Sequence, residues 1–240
     1  MKSGEALVLL IPGLDGTGRM FEPHIPALSR HYRVRPWWFH SPAGFGFPEL
    51  VGELGEETEH EAPGSIIVAG ESFGGPNAIH YVLAFPDRVQ RLVLINTFSH
   101  YRWRVRIRLA CLTCPLLRAA GVRGVKDFLA TRLLRREGID AAGLAHYRDV
   151  IRHVDLDAYR RRLELVRDTD LRARLCEIRV PTLILASGRD KIVPSVPEAR
   201  FIASRIPQAE MHEFPRAGHA LLLTPGFSLA AYLNPALPRP

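Results

Sequence analysis

Short apolar runs recur along the chain, and stretches with helical spacing separate them. The clearest runs cover residues 6–11, 66–69, 91–96 and 181–186. Apolar runs of this length that do not alternate with polar residues are typical of strands buried on both faces. Repeated strand–helix units of this kind predict an α/β fold, with a mostly parallel sheet flanked by helices.

The stretches between these runs favour helices, and two weaker runs complete the pattern. Apolar residues at helical spacing predict a short helix over 21–28, an acidic amphipathic helix over 50–60, and further helices over 76–84 and 196–206. Residues 33–39 and 211–214 are the weaker strand candidates. A last apolar helix is expected to begin at Gly218 and His219.

The strand–helix alternation stops after Asn96 and resumes only at Pro181. Between them, Leu156, Tyr159 and Leu163 follow the spacing of a helix face. An insertion at this point would lie over the carboxyl ends of the strands, where ligands bind in open α/β sheets. We therefore predict a helical cap over residues 101–176 and a core formed by residues 1–100 and 177–240.

Length and cysteine content limit the class of protein. A chain of 240 residues is long enough for one α/β domain with an insertion. It contains three cysteines, Cys111, Cys114 and Cys176, and an odd, sparse set argues against a disulfide framework. Cys111 and Cys114 have the spacing of half a zinc site, but no second pair completes it, so we expect no metal. A reducing compartment agrees with this composition.

The distribution of apolar and charged residues excludes two kinds of partner. No apolar stretch approaches the length of a membrane span, and the first apolar run, residues 6–11, is too short for a signal-peptide core and has no cleavage site after it, so we expect a cytoplasmic protein without stable membrane insertion. The net charge is +7, but the arginines are mixed with acidic residues, as in residues 160–164. This mixture is typical of solvated helix faces, and we expect no nucleic-acid partner.

Residues 70–74 have the sequence Gly-Glu-Ser-Phe-Gly and join a predicted strand directly to a predicted helix. In this context Gly-x-Ser-x-Gly predicts a nucleophile elbow, a strained turn that exposes the Ser72 hydroxyl above the sheet. The next backbone N–H, that of Phe73, would begin the helix and could stabilise an oxyanion. The glycine-rich turn after the first strand could supply a second donor, the N–H of Leu14.

A serine hydroxyl needs a base to become a nucleophile, and the base needs a carboxylate to orient it. Asp190 and His219 each follow a predicted strand at its carboxyl end, on the same edge of the sheet as Ser72. Asp168 and Asp170 are rival acids, but they precede the strand instead of following it.

With these residues in view, the chain resembles the α/β-hydrolase superfamily over nearly its whole length. Residues 70–74 match the family's elbow, residues 188–194 (Gly-Arg-Asp-Lys-Ile-Val-Pro) its acid turn, and residues 217–219 its histidine turn. The resemblance implies that Ser72 is the nucleophile, His219 the base and Asp190 its orienter. It also implies an oxyanion hole made by the N–H groups of Leu14 and Phe73, with no cofactor.

The chain departs from the usual family pattern at three places. Pro12 stands where many members have histidine, which leaves the backbone donor intact. Little chain precedes Ala6, so we expect the family's first hairpin to be absent, with the cap following the strand that is conventionally the sixth. The loop after Phe39 lacks the family's usual form. From its surroundings we expect Trp37, Phe45 and Phe47 to line the substrate pocket.

These features together predict a serine hydrolase of the carboxylesterase or lipase type. Its substrate would be a small-molecule ester with a small to medium acyl chain, cleaved through an acyl-enzyme. Acyltransferase, thioesterase and lactonase chemistry use the same residues and remain alternatives. A non-catalytic hydrolase-fold protein that binds a small ligand is the rival from another class, and an intact set of Ser72, Asp190 and His219 argues against it.

Overall fold

The computed structural model describes residues 6–40, 44–102, 105, 107–111, 134, 137–234 and 236–238. Within these ranges the chain forms one six-stranded sheet in the order β2-β1-β3-β4-β5-β6, and every strand pair is parallel. The strands are β1 (Leu7–Ile11), β2 (Arg33–Pro36), β3 (Ile66–Glu71), β4 (Val89–Ile95), β5 (Thr182–Ser187) and β6 (Ala209–Phe214). The parallel α/β sheet expected from the apolar runs is confirmed.

Helices cover both faces of the sheet. The described helices are α1 (Ile25–Leu28), α2 (Phe47–Glu57), α3 (Gly74–Ala84), α4 (Ala141–Arg152), α5 (Leu156–Asp168), α6 (Ser195–Ala203) and α7 (Leu229–Leu233). Leu9 and Ile11 of β1 pack into a cluster with α2, α3 and α6, whereas Val8 and Leu10 pack with α1 and α7. Successive side chains of a strand point to opposite faces, so a strand buried on both faces is apolar throughout.

The carboxyl-terminal part of the chain differs from the prediction. A 3-10 turn over Leu221–Leu223 follows His219, and α7 begins only at Leu229, so the expected single apolar helix does not form. Pro225 and Gly226 lie between the two pieces, and Gly226 has a φ of +80°. Proline and a left-handed glycine both end a helix, which explains the interruption.

The chain between β4 and β5 contains α4 and α5, and its two ends lie side by side. His100 forms an antiparallel bridge with Asp170, and the Leu171 N–H donates to the Ser99 carbonyl at 2.8 Å. The middle of the predicted cap, residues 112–133, lies outside the described residues. The cap boundaries therefore stay a prediction.

A helix that crosses a bilayer must be both long and apolar, and the part of the chain that the structure describes contains none.

Candidate active site

Ser72 occupies a strained turn between β3 and α3. It has a φ of +51°, which is rare for a residue with a side chain and unfavourable for it. The turn is held by its surroundings, because the Ser72 N–H donates to the Ile95 carbonyl at 2.9 Å and the Thr97 hydroxyl donates to the Ser72 carbonyl at 2.6 Å. A Cβ atom at Gly74 would lie 2.2 Å from the Ile11 carbonyl oxygen, so only glycine allows α3 to start this close to β1.

His219 and Asp190 approach Ser72 from two neighbouring loops. Nε2 of His219 lies 3.1 Å from the Ser72 Oγ, and Nδ1 lies 2.7 Å from Oδ2 of Asp190. The Asp190 side chain is fully buried, and Oδ1 accepts the Ile192 and Val193 N–H groups at 2.8 and 2.9 Å. With a proton on Nδ1 donated to the carboxylate, Nε2 is free to accept the serine proton.

The electrostatics of this group favour an ionised pair. Burial alone would raise the pKa of Asp190, but the charge of His219 and the hydrogen bonds from His219 and Ser195 outweigh it and keep the pKa below its usual value. Burial alone would lower the pKa of His219, but the charge and hydrogen bond of Asp190, with Glu71 and Glu137 nearby, raise it to about 9. An imidazolium formed in this position is therefore stabilised by its neighbours.

Two backbone N–H groups expected to face the oxyanion lie next to Ser72. Phe73 directly precedes α3, so its N–H belongs to the positive end of an 11-residue helix. A Cβ atom at Gly13 would lie 3.4 Å from the Ser72 Cβ, which brings the adjoining Leu14 segment against the serine. Neither the Leu14 nor the Phe73 N–H donates a hydrogen bond to another described residue. Both donors thus remain available to a substrate oxygen.

A cavity of about 190 Å³ opens at Ser72 and His219. Its described walls are mostly apolar and come from the loop after β1, from α4 and α5, and from the turn after His219; they include Leu14, Tyr147, Ile151, Tyr159, Leu222 and Leu223. Clefts of about 460 and 380 Å³ lie elsewhere, and neither includes Ser72 or His219. We assign the site to the smaller cavity because it alone of the three joins the serine to its base.

The three aromatic residues expected to line the pocket are not among the described walls of this cavity. Trp37 is buried in the core cluster that includes β1, α2 and α3. Phe47 stacks on the rings of Phe73 and His80, with centroids 6.0 and 4.6 Å away, and Phe45 is buried in the same cluster as Phe73. Phe45 and Phe47 thus pack around the Phe73 side chain of the elbow, and Trp37 lies in the core.

Several polar residues at the site were missed by the sequence reasoning. Glu71, inside the elbow motif, lies with its Oε1 3.8 Å from the His219 Nε2, and burial raises the pKa of its carboxyl to about 8. Asn96 is buried and donates from Nδ2 to the His219 carbonyl at 2.8 Å, and Ser195 donates to the Asp190 Oδ2. Glu71 could have been singled out from the sequence, because it is a carboxylate directly beside the candidate nucleophile Ser72. The other two depend on loop geometry.

The rival acids lie away from the histidine. Asp168 pairs with Arg167 at 2.7 Å and Asp170 with Arg172 at 2.6 Å, on the exposed surface. Among the described residues, no group of three or more histidine, cysteine or acidic side chains is arranged to hold a metal ion.

The family model described as "alpha/beta hydrolase fold" matches residues 59–225, more than half of the chain. The chain belongs to this family. The resemblance inferred from the three motifs is thereby confirmed, and the protein is a hydrolase by family.

Among curated relatives, this α/β hydrolase is 26% identical to the "Putative carbamate hydrolase RutD" of Yersinia enterocolitica, over 90% of this chain and 82% of the relative. It is 30% identical to the "Pimeloyl-[acyl-carrier protein] methyl ester esterase" of Aromatoleum aromaticum, over 68% of this chain and 70% of the relative. A crystal structure of a hydrolase from Pseudomonas aeruginosa PA01 superposes with a TM-score of 0.76 and 25% identity, covering 91% of this chain and 84% of that one.

Proposed function

We propose that this α/β hydrolase is a serine hydrolase that cleaves carboxylic esters with small to medium acyl chains. The observation that carries the proposal is the hydrogen-bonded series of Ser72 Oγ, His219 and Asp190, with distances of 3.1 and 2.7 Å. A buried carboxylate, an imidazole and a serine in this order form the machinery of acyl transfer on several unrelated folds.

In the proposed reaction, Ser72 Oγ attacks the ester carbonyl carbon while His219 Nε2 takes the serine proton. The negative oxygen of the tetrahedral intermediate is held by the Leu14 and Phe73 N–H groups. His219 then gives its proton to the leaving alkoxide, and an acyl-enzyme remains on Ser72. Water, deprotonated by His219, attacks the acyl-enzyme and releases the carboxylic acid and free Ser72.

The cavity argues for a small apolar acyl group. Its volume of about 190 Å³ is below the ~300–1,000 Å³ common for drug-sized ligands, and its described walls are largely aliphatic. Each methylene buried there would contribute about 0.8 kcal/mol until a wall is reached. We infer that residues 101–176 form a cap whose α4 and α5 close the cavity from above, since Tyr147, Ile151 and Tyr159 contribute to its walls.

A second candidate is cleavage of a carbamate, favoured by the likeness to the RutD protein of Yersinia enterocolitica over 90% of the chain. The same nucleophile and base would attack a carbamate carbonyl. We favour an ester because the pimeloyl methyl ester esterase is the relative with the higher identity, 30%. Thioesters and lactones share the mechanism and belong in the same substrate panel.

Labelling with a fluorophosphonate, followed by a substrate panel, tests the proposal. Wild-type protein should be labelled at one serine, and Ser72→Ala should abolish the label and lower ester turnover roughly a million-fold with an unchanged circular dichroism spectrum. Ser65→Ala, on a half-buried serine away from the cavity, is the matched control and should label normally. Labelling of the Ser72→Ala protein at wild-type rate would overturn the assignment. Labelling without turnover of the esters would leave carbamates, thioesters or lactones as substrates.

A further inference from the structure

Arg162 of α5 is buried, although arginine is among the residues least often found inside a protein. It is only 2% exposed. Its Nε donates to the Leu14 carbonyl at 2.9 Å and its Nη2 to the Asp15 carbonyl at 3.2 Å. Among the described residues it forms no ion pair with a carboxylate. A buried guanidinium is costly unless its donors are used, so these backbone carbonyls, with the nearby charges of Asp15 and Asp155, offset its burial.

Both carbonyls belong to the loop that carries the Leu14 N–H. In the same loop, the Asp15 carboxylate accepts the N–H and the hydroxyl of Thr17 at 2.9 and 2.6 Å. The Gly16 N–H donates to the Gly13 carbonyl at 3.1 Å. These bonds shape the loop from within, whereas Arg162 is the contact that attaches it to α5.

The backbone of Gly16 lies directly against the Arg162 guanidinium. It has a φ of +73°, and a Cβ atom at this position would lie 2.6 Å from the Arg162 Cζ. A residue with a side chain would therefore displace the guanidinium and be strained in its own backbone. The glycine lets the planar group lie directly against the loop backbone, where its fork of donors reaches two successive carbonyls.

We propose that Arg162 is a positioning residue that holds the Leu14 N–H toward the oxyanion, so that turnover depends on how α5 packs on the core. The proposal rests on the serine-hydrolase function proposed above. Oxyanion donors are effective because they are oriented before the reaction and need no reorganisation during it. Arg162 fixes the carbonyls of Leu14 and Asp15, and thus the orientation of the peptide groups that follow Gly13.

The packing of α5 makes this coupling direct. Leu163 and Val166, on the same helix, are buried in one cluster with Phe73, whose N–H is the other proposed donor. One helix therefore borders both halves of the proposed oxyanion hole, through a guanidinium on one side and through a hydrophobic cluster shared with Phe73 on the other. A shift of α5 would disturb both donors together.

The test compares Arg162→Lys and Arg162→Met with the matched control Arg160→Met. Arg160 lies on the same helix, is half-exposed and has only a 3.6 Å contact with Glu164. Losing an oxyanion donor outright costs roughly 10²–10³ in kcat, so we expect Arg162→Met to lower kcat roughly 10- to 100-fold, with KM changed less than about threefold. Lysine keeps the charge but lacks the several fixed donors of a guanidinium. The kcat of Arg162→Lys should therefore lie between those of Arg162→Met and wild type. Arg160→Met should match wild type.

Binding of a trifluoromethyl ketone separates positioning from simple destabilisation. Ser72 Oγ adds to its carbonyl carbon, His219 takes the proton, and the former carbonyl oxygen becomes an anion in the oxyanion hole. Its inhibition constant should rise in each Arg162 variant by about the factor that kcat/KM falls. Binding of the product carboxylic acid should change little. Equal losses for ketone, product and KM would overturn the proposal, as would an Arg162→Met protein with wild-type kcat.

Amide hydrogen exchange gives a readout that does not need turnover. The peptide covering residues 12–18 should exchange faster in Arg162→Lys and Arg162→Met than in wild type, with the peptide covering β3 unchanged. If wild-type protein hydrolyses no substrate but the loop exchanges as expected, the proposed function fails while the attachment by Arg162 stands. If wild type turns over esters and the loop exchange is unaltered in both variants, the inference about Arg162 fails on its own.

Discussion

The carboxyl edge of the sheet and the helices α4 and α5 contribute different things to the same cavity. The sheet edge supplies Ser72, Asp190 and His219, each on a loop directly after a strand. The helices supply apolar walls, among them Tyr147 and Ile151. The polar bonds of the first group are made mostly within the sheet region, whereas part of the apolar wall comes from the segment inserted between β4 and β5.

This difference separates reactivity from selectivity. The sheet edge is held by hydrogen bonds between strand ends, such as those from Asn96 to the His219 loop and to Ser187. The helices are attached by apolar packing and by polar contacts, among them those of Arg162 with the loop after β1 and of Asp149 with Arg19. We therefore expect substitutions at the sheet edge to lower turnover for every substrate, and substitutions of the wall residues on the helices to change which substrate is preferred.

Apart from the loss of Ser72 itself, the largest effect is expected at the orienting acid. Asp190→Asn should lower kcat roughly ten-thousand-fold, as removal of the corresponding charge does in serine proteases, because the amide no longer stabilises the imidazolium. Asp168→Asn, at an exposed acid paired with Arg167, is the control and should leave kcat near wild type. Steady-state kinetics on a p-nitrophenyl ester measures both. Near-normal turnover of Asp190→Asn would remove Asp190 from the site.

A stability change is expected where the strand ends are joined. Asn96 is buried, accepts the Ser187 N–H at 2.8 Å and donates to Ser187 and to the His219 loop. Asn96→Ala leaves those groups unpaired and should lower the free energy of unfolding by about 1–3 kcal/mol.

Urea denaturation of Asn77→Ala provides the comparison. Asn77 is equally buried but makes one hydrogen bond, to the Phe73 carbonyl, and its Oδ1 has no partner among the described residues. Removal of the Asn77 side-chain amide should lower the free energy of unfolding by about 1 kcal/mol or less. Equal losses of unfolding free energy in the two variants would contradict the role of Asn96 in joining the strand ends.

On the helical side, Ile151→Ala should change selectivity with little effect on reactivity. The truncation enlarges the cavity, so the specificity constant should gain roughly fourfold for each methylene that the new space admits, at about 0.8 kcal/mol each. Arg152→Ala, on the exposed face of the same helix, should leave the profile unchanged. A p-nitrophenyl ester series from acetate to octanoate measures the optimum. An identical chain-length profile for Ile151→Ala and wild type would show that α4 does not limit the acyl chain.

The smallest effect is expected in pH dependence. Since His219 has a pKa of about 9 and must be neutral to act as base, kcat/KM should rise with pH up to that region. Asp190, Glu71 and Glu137 all raise this pKa. Glu71→Gln removes a negative charge 3.8 Å from Nε2, so the rising limb should move to lower pH. Glu137→Gln should move it in the same direction by less. This account would be contradicted if the rise of kcat/KM in Glu71→Gln occurred at the same pH as in wild type, or at a higher pH.

The sheet and the placement of the candidate site residues could be predicted from local sequence. Unbroken apolar runs predict strands buried on both faces, and parallel strands bring their carboxyl ends to one edge. Ser72, Asp190 and His219 follow such runs directly, so their placement on that edge follows from local order along the chain. The break at Pro225 and Gly226 was also present in the sequence, although the single-helix expectation overlooked it.

Which residues surround the candidate site depends on the tertiary fold. Trp37, Phe45 and Phe47 are aromatic and near the strand ends in sequence, yet Trp37 is buried in the core and the two phenylalanines pack in the cluster around Phe73. Arg162 lies on a helix whose pattern is that of a charged surface, and it is buried because the loop after β1 offers it two carbonyls. Side-chain direction and loop packing depend on contacts between segments distant in sequence. The hydrophobic pattern of one segment carries no information about those contacts.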